Sequence, residues 1–294
     1  MEFPDEYEVI YNPYKRRLSE NELLELIKNY QPDGMIAGVE PITRSVLKAA
    51  KNLKVISRCG VGMDSIDMET ANELKIKTFN TPEVPVIPVA ELTVGMIYSL
   101  VRGINSLDRK MKDCVWEKKT GGLIAEKTIG ILGCGRIGTY VAKLLQPSGA
   151  RLIGFDTIIK DHTICEMVSF QDLIEKADIL TLHIPITEGN KNLINEKVMA
   201  SMKSGSIIIN TSRGGLVDED ALCKNLLNKH ISGCGIDVFE KEPYSGPLCG
   251  LDNVILTPHI ASSAGDSRQK MELESLTNLV KGLKEFQLDS SAKP

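Results

Sequence analysis

No apolar stretch in the 294-residue sequence approaches the ~18 residues that a membrane-crossing helix requires. The first ten residues, MEFPDEYEVI, are acidic and lack the apolar core of a secretory leader, so none is expected. Basic blocks are missing as well. Lys and Arg number 35 against 39 Asp and Glu, a net charge of −4. A nucleic-acid binder needs a cationic patch for phosphates, and none is legible, so neither a nucleic-acid nor a membrane partner is expected. There is no C-x-x-C and no H-x-x-x-H, and histidine occurs only four times, so no metal site is expected. The seven cysteines (59, 114, 134, 165, 223, 234 and 249) are scattered and odd in number. That fits free thiols in a reducing cytoplasm, most of them small core residues.

What remains is the composition of a globular protein, 42% apolar and 25% charged, in a chain long enough for two domains. Strands and helices alternate from the start. Strands are expected at 7–12, 33–39, 54–60 and 77–81, with helices at 19–30 (N-cap Ser19), 42–53 (capped by Thr43) and 67–76. The segment PEVPVIP (82–88) reads as a rigid connector, because three prolines fix φ and remove donors. Residues 89–113 then form one long helical pattern, and the domain boundary falls at its start. Beyond it strands are expected at 127–133, 151–156, 178–184, 206–212, 232–239 and 253–259, with helices after 136 and at 169–177, 195–202 and 218–229. A last helix, 266–286, is expected to return to the first domain, and 287–294 to be a mobile tail. Such alternation implies parallel sheets built from βαβ units. The domains predicted are 1–90 with 266–294, and 91–265.

GILGCGRIG (130–138) carries Gly133, Gly135 and Gly138 in the spacing G-x-G-x-x-G. The pattern alone is weak, but here it follows an apolar strand and opens a helix, and Asp156 comes eighteen residues past Gly138. That is the setting of a dinucleotide site. Gly133 permits the tight turn, Gly135 the approach of a pyrophosphate, and Gly138 close helix–strand packing. Arg136 and Ile137 lie at the helix N-terminus, whose N–H groups and dipole favour an anion. Asp156 would bind ribose hydroxyls and repel a 2′-phosphate, which points to NAD.

In open parallel sheets, ligands bind beyond the carboxyl ends of the strands. Arg213 follows one later strand in NTSRGG, Glu242 another in EKEP, and His259 the last in TPH. An Arg fork can grip a carboxylate and polarise a 2-carbonyl oxygen. A His can exchange a hydroxyl proton, and a carboxylate on its far nitrogen fixes its tautomer. Each residue alone has an ordinary structural reading; three together at strand ends beside a dinucleotide loop point to hydride transfer.

The stretches SRCGVGMDSID, AELTVGMI, GILGCGRIG, LTLHIP, MKSGSIIINTSRGGLVDEDAL, GCGIDVFEKEP and ILTPHIASS resemble, in order and over nearly the whole chain, the D-isomer-specific 2-hydroxyacid dehydrogenase family, with most likeness to its D-3-phosphoglycerate dehydrogenase branch. The resemblance implies an α/β fold of two doubly wound parallel-sheet domains, a Rossmann-type NAD-binding domain inserted into a flavodoxin-like substrate domain. It implies that Arg213, Glu242 and His259 are the catalytic set, and that Asp237 anchors the nicotinamide carboxamide. Thr211 and Ser212 match cofactor-contacting positions. The backbone of Gly60, Val61 and Gly62 would hold the substrate carboxylate as an anion nest, and Arg58 would help bind a substrate phosphate. A closing hinge and a homodimer built around the helix after it are further implications.

Many members carry an extra strand and helix ahead of the segment equivalent to 7–12. Either a rearranged N-terminal sheet or a chain that starts late is therefore expected. Serine feedback of the long-form type is not expected. Two alternatives stand beside 3-phosphoglycerate oxidation. One is reduction of another small 2-keto acid, such as glyoxylate, hydroxypyruvate or a phosphonate analogue. The other is a dinucleotide-sensing, co-repressor-like binding protein without turnover.

Overall fold

A computed structural model describes residues 3–291 and divides the chain into two compact units, 1–85 with 264–294, and 86–263. The first unit is built on a three-stranded parallel sheet in the order β1 (Gly34–Ala37), β2 (Val55–Arg58), β3 (Lys77–Phe79). Successive residues of a strand point to opposite faces, and β2 shows what each face meets. Val55 packs with Leu279 and Leu283 of the long helix α10 (Gly265–Ser291). Ile56 joins Leu23, Ile27, Val46, Leu47 and Ala71 from α1 (Glu20–Tyr30), α2 (Arg44–Ala49) and α3 (Met68–Glu73). Both faces are covered, so β2 is buried along its whole length.

The caps fall where side-chain chemistry places them. Ser19 accepts the N–H of Glu22, and the Glu22 carboxylate accepts the N–H of Ser19, a closed capping box. Thr43 and Asp67 cap α2 and α3 by accepting the N–H of Val46 and of Thr70, with no reciprocal bond. Ser19→Ala should lower the stability of the protein by about 1 kcal/mol, read as a shifted urea midpoint. An unmoved midpoint would show that the box contributes nothing.

Four expectations fail here. Residues 7–12 form no strand; Ile10 and Tyr11 are exposed, so the apolar alternation has no face to bury. The 82–88 connector is already helical from Val86, because Pro88 lies in the first turn of α4 (Val86–Arg102), where N–H groups have no intrahelical acceptor to lose. The single long helix is two: α4 stops at Gly103, in the left-handed region at φ 65°, and α5 (Ile104–Lys112) leaves at 67° to it. Residues 287–291, expected in a mobile tail, continue α10, and 292–294 lie outside the described residues.

The second unit holds a seven-stranded parallel sheet. Its strands in chain order are β4 (Thr128–Leu132), β5 (Arg151–Phe155), β6 (Glu166–Met167), β7 (Ile179–Leu182), β8 (Ser206–Asn210), β9 (Ile231–Ile236) and β10 (Val254–Leu256). Their spatial order is β10-β9-β8-β7-β4-β5-β6. The chain starts at β4, runs outward through β5 and β6, then returns to β7 and continues the other way. The switch point lies between β4 and β7, where the carboxyl ends of an open sheet leave a crevice. β7 and β8 are buried at every position, as expected of strands covered on both faces. The two-residue edge strand β6 was not legible in the sequence, since two residues carry no period. Among the described residues no single helix is long and apolar enough to cross a membrane.

Candidate active site

The glycine-rich loop leaves β4 at the switch point and enters α6 (Arg136–Leu145). Gly133 has φ 96°, and a Cβ there would meet the His183 carbonyl oxygen at 2.5 Å. At Gly138 a Cβ would overlap the Gly133 carbonyl, so the first turn of α6 presses directly on the loop. Gly135 is different, because a Cβ there would have no neighbour within 4 Å. It faces open space at the N-cap of α6, which has no side-chain cap. Uncapped helix N–H groups beside an open glycine suit a pyrophosphate. Arg136 is exposed at this end and Ile137 half-buried beside it.

Asp156 follows β5. Its Oδ2 accepts Cys134 N–H at 2.9 Å, and its Oδ1 accepts the N–H of Ile158 at 2.8 Å and of Ile159 at 3.1 Å. Burial alone would raise its pKa, but these donors and Lys160 outweigh it and hold the group below the usual carboxylate range. A carboxylate has about four acceptor sites, so capacity remains for ribose hydroxyls. Asp156 thus fixes the glycine-rich loop through the Cys134 N–H. His162, which the sequence did not single out, lies on the same loop through Thr139, whose hydroxyl is 3.0 Å from Nε2. Its Nδ1 accepts the N–H of Ile164 and Cys165, so that nitrogen carries no proton.

His259 comes just after β10. Its Nδ1 lies 3.1 and 3.0 Å from the two carboxylate oxygens of Glu242. Glu242 in turn accepts the N–H of Phe239 at 3.1 Å, so the carboxylate is oriented before it meets the ring. The His259 side chain is 34% exposed and Glu242 22%, so the pair opens to solvent on one side. His259 holds φ 55°, in the left-handed region where few side chains sit without cause, and its N–H donates to the Asp237 carbonyl at 2.8 Å.

Asp237, at the end of β9, is wholly buried. Its Oδ1 accepts the Thr257 hydroxyl at 2.6 Å and Ile260 N–H at 2.8 Å, and its Oδ2 accepts Ala261 N–H at 2.9 Å. Burial raises its pKa despite these donors. The structure therefore uses Asp237 to bind the His259 loop to β9, a role the sequence did not suggest.

Arg213 follows β8 in a turn built by Asn210. The buried Asn210 amide donates to the Arg213 carbonyl at 2.8 Å and accepts both Ser212 N–H and its hydroxyl. The Arg213 guanidinium donates to the Ser212 carbonyl at 2.7 Å. The Thr211 hydroxyl, expected at the cofactor, is 2.8 Å from that of Thr93. Asn210 was legible only as part of a motif; its organising role needed the coordinates.

The remaining candidates belong to the first unit. Arg58 is 9% exposed and its guanidinium donates to the Cys59 carbonyl, close enough that a Cβ on Gly60 would meet it at 2.7 Å. Gly60 (φ 142°) donates its N–H to Thr81 Oγ1 at 2.8 Å, which removes one donor from the expected nest. Val61 is exposed beside it and Gly62 half-buried. Cys59 is buried.

The family profile described as "D-isomer specific 2-hydroxyacid dehydrogenase, NAD binding domain" matches residues 94–261. The hydroxypyruvate reductase of Thermotoga maritima is 35% identical over 273 residues, covering 90% of this chain and 89% of that one. The D-3-phosphoglycerate dehydrogenase of Methanocaldococcus jannaschii is 39% identical over 260 residues, 86% of this chain, which spans 49% of that longer protein. The crystal structure of D-lactate dehydrogenase from Aquifex aeolicus, complexed with NAD and lactic acid, superposes with a TM-score of 0.83 at 28% identity, covering 92% of this chain and 88% of that one. With a glycine-rich NAD loop at the switch point and a paired histidine and glutamate at the ends of neighbouring strands, the chain belongs to the D-isomer-specific 2-hydroxyacid dehydrogenases, a family of NAD-dependent oxidoreductases.

Proposed function

We propose that this chain interconverts a D-2-hydroxy acid and its 2-keto acid, with His259 as the proton-exchanging group. The observation that carries the proposal is the Glu242 carboxylate on Nδ1 of His259. It fixes Nδ1 as a donor and leaves Nε2 to exchange the proton of the substrate oxygen. The glycine-rich loop and Asp156 would hold NAD, which when bound would supply the hydride chemistry. Everything else falls to the side chains. Arg213 grips the carboxylate and the reacting oxygen, drawing electrons from the carbonyl during reduction. Glu242 holds the imidazole in place through Nδ1 while Nε2 takes the proton as the hydroxy acid is oxidised. Asp156 receives the ribose hydroxyls, and Gly133, Gly135 and Gly138 admit the pyrophosphate. The backbone at Val61 and Gly62 takes the substrate carboxylate.

The motifs imply 3-phosphoglycerate as the acid, with Arg58 reading the phosphate. A second reading, unphosphorylated hydroxypyruvate, is favoured by the guanidinium of Arg58, which is buried against its own loop. We further propose a homodimer formed through the segment after α4, where Ile104, Met111, Trp116 and Leu123 are each exposed. A cytoplasmic location is consistent with the seven free thiols.

The test is NADH consumption with 3-phosphohydroxypyruvate, hydroxypyruvate, glyoxylate and pyruvate, repeated with Arg58→Ala. The phosphate reading expects the phosphorylated acid to have the highest kcat/KM, and Arg58→Ala to weaken it by roughly tenfold or more while sparing glyoxylate. Equal or lower efficiency on the phosphorylated acid would transfer the assignment to hydroxypyruvate. No turnover of any 2-keto acid would overturn the enzymatic reading.

A further inference from the structure

Glu219 is the first residue of α9 (Glu219–Leu227), directly after the N-cap Asp218. A carboxylate there is ordinarily explained by the helix dipole. Its Oε1, however, reaches out of the helix and accepts the backbone N–H of Glu240 at 2.8 Å. Glu240 lies two residues before Glu242, in the loop that presents the carboxylate to His259. The position is costly. Burial raises the pKa of Glu219, and the neighbouring charges of Glu240, Asp220 and Glu242 raise it further against the one accepted N–H. A group kept among like charges calls for a reason beyond capping.

That reason lies in what the loop must do. Phe239 N–H donates to Glu242 Oε1, so the carboxylate is oriented by the backbone just ahead of it. A shift at Phe239–Glu240 would therefore turn Glu242 away from the imidazole. The Lys191–Glu240 ion pair on the same loop is half exposed at both partners and contributes little. The Phe239 ring stacks on Tyr244 with centroids 4.3 Å apart, which fixes a side chain but no backbone donor. The Glu219 carboxylate is a backbone anchor, and it starts from the segment that continues the Arg213 turn through Gly214–Leu216. It couples the carboxylate-gripping turn to the proton-handling loop.

We propose that Glu219 is a positioning residue for the Glu242–His259 pair, holding the 239–242 loop in register through the Glu240 N–H. The proposal rests on the reading of His259 as the proton-exchanging group. It is tested in the full chain with Glu219→Ala, Glu219→Gln and Glu219→Asp, using the best 2-keto acid of the panel and fluorescence titration of NADH. Glu219→Ala should lower kcat by roughly tenfold or more, with KM and NADH affinity within about twofold of the parent. Glu219→Gln keeps an acceptor of equal reach and should restore most of kcat. Glu219→Asp keeps the first-turn charge but falls a methylene short of Glu240, so it should fold and still lose kcat; it carries the test if the alanine variant is unstable. An unchanged kcat in the Ala and Asp variants would overturn the proposal. So would a loss that Gln does not restore, or one confined to NADH affinity. His259→Ala is measured in parallel: full turnover there would overturn the parent reading, whatever the Glu219 variants do.

Discussion

His259→Ala should lower kcat by roughly 10²–10⁴-fold while NADH still binds. The size follows from what is removed. In the reductive direction the alkoxide formed by hydride addition must be protonated, and the imidazole held by Glu242 at 3.0–3.1 Å is the donor proposed for it. A water in the vacated space would have no fixed orientation and would be a far weaker acid. The separation from cofactor binding follows from the topology. His259 follows β10, at one edge of the sheet, whereas the glycine-rich loop and Asp156 follow β4 and β5 beyond the switch point. NADH fluorescence titration should therefore give a similar Kd in both proteins, while stopped-flow reduction separates them. Retained turnover would remove His259 from the chemistry. A parallel loss of NADH affinity would mean that the residue supports the fold of the site.

The glycine-rich loop, Asp156, Arg213, Glu242 and His259 were legible in the sequence because each follows an apolar run and sits at a strand end, where chain order and chemistry coincide. The seven strands of the second unit fail only at β6, which is too short to carry a period. In the first unit, 7–12 alternates like a strand yet has no neighbour to pair with, and periodicity cannot count partners. The break at Gly103 was hidden because apolar spacing continues past it while the backbone does not. What sequence could not show was where polar side chains spend their bonds. Asp237 binds the His259 loop, the Thr211 hydroxyl meets Thr93, and Gly60 donates to Thr81. Each pairing joins residues 21 to 118 positions apart in the chain, beyond any local spacing rule.

Gly214→Ala should be the most damaging single-methyl change in the second unit, costing about 3 kcal/mol or more and most of the activity. Gly214 is buried between Arg213 and the 239–242 loop, and a Cβ there would overlap Phe239 C and O and Glu240 N. These are backbone atoms, so no rotamer change can make room. Either the Arg213 turn or the Glu242 loop must move, and a displacement of ~1 Å at such groups can cost on the order of 10²-fold in rate. Gly215→Ala is the control. Its Cβ would meet only Ile186 Cδ1, at 2.6 Å, the tip of a side chain that can rotate away. The expected result is a large fall in thermal midpoint and kcat for Gly214→Ala, and a small change in both for Gly215→Ala. Equal effects would mean that the 213–216 turn as a whole resists substitution. A fully active Gly214→Ala would show that the two loops do not need this contact to hold Arg213 and Glu242 in place.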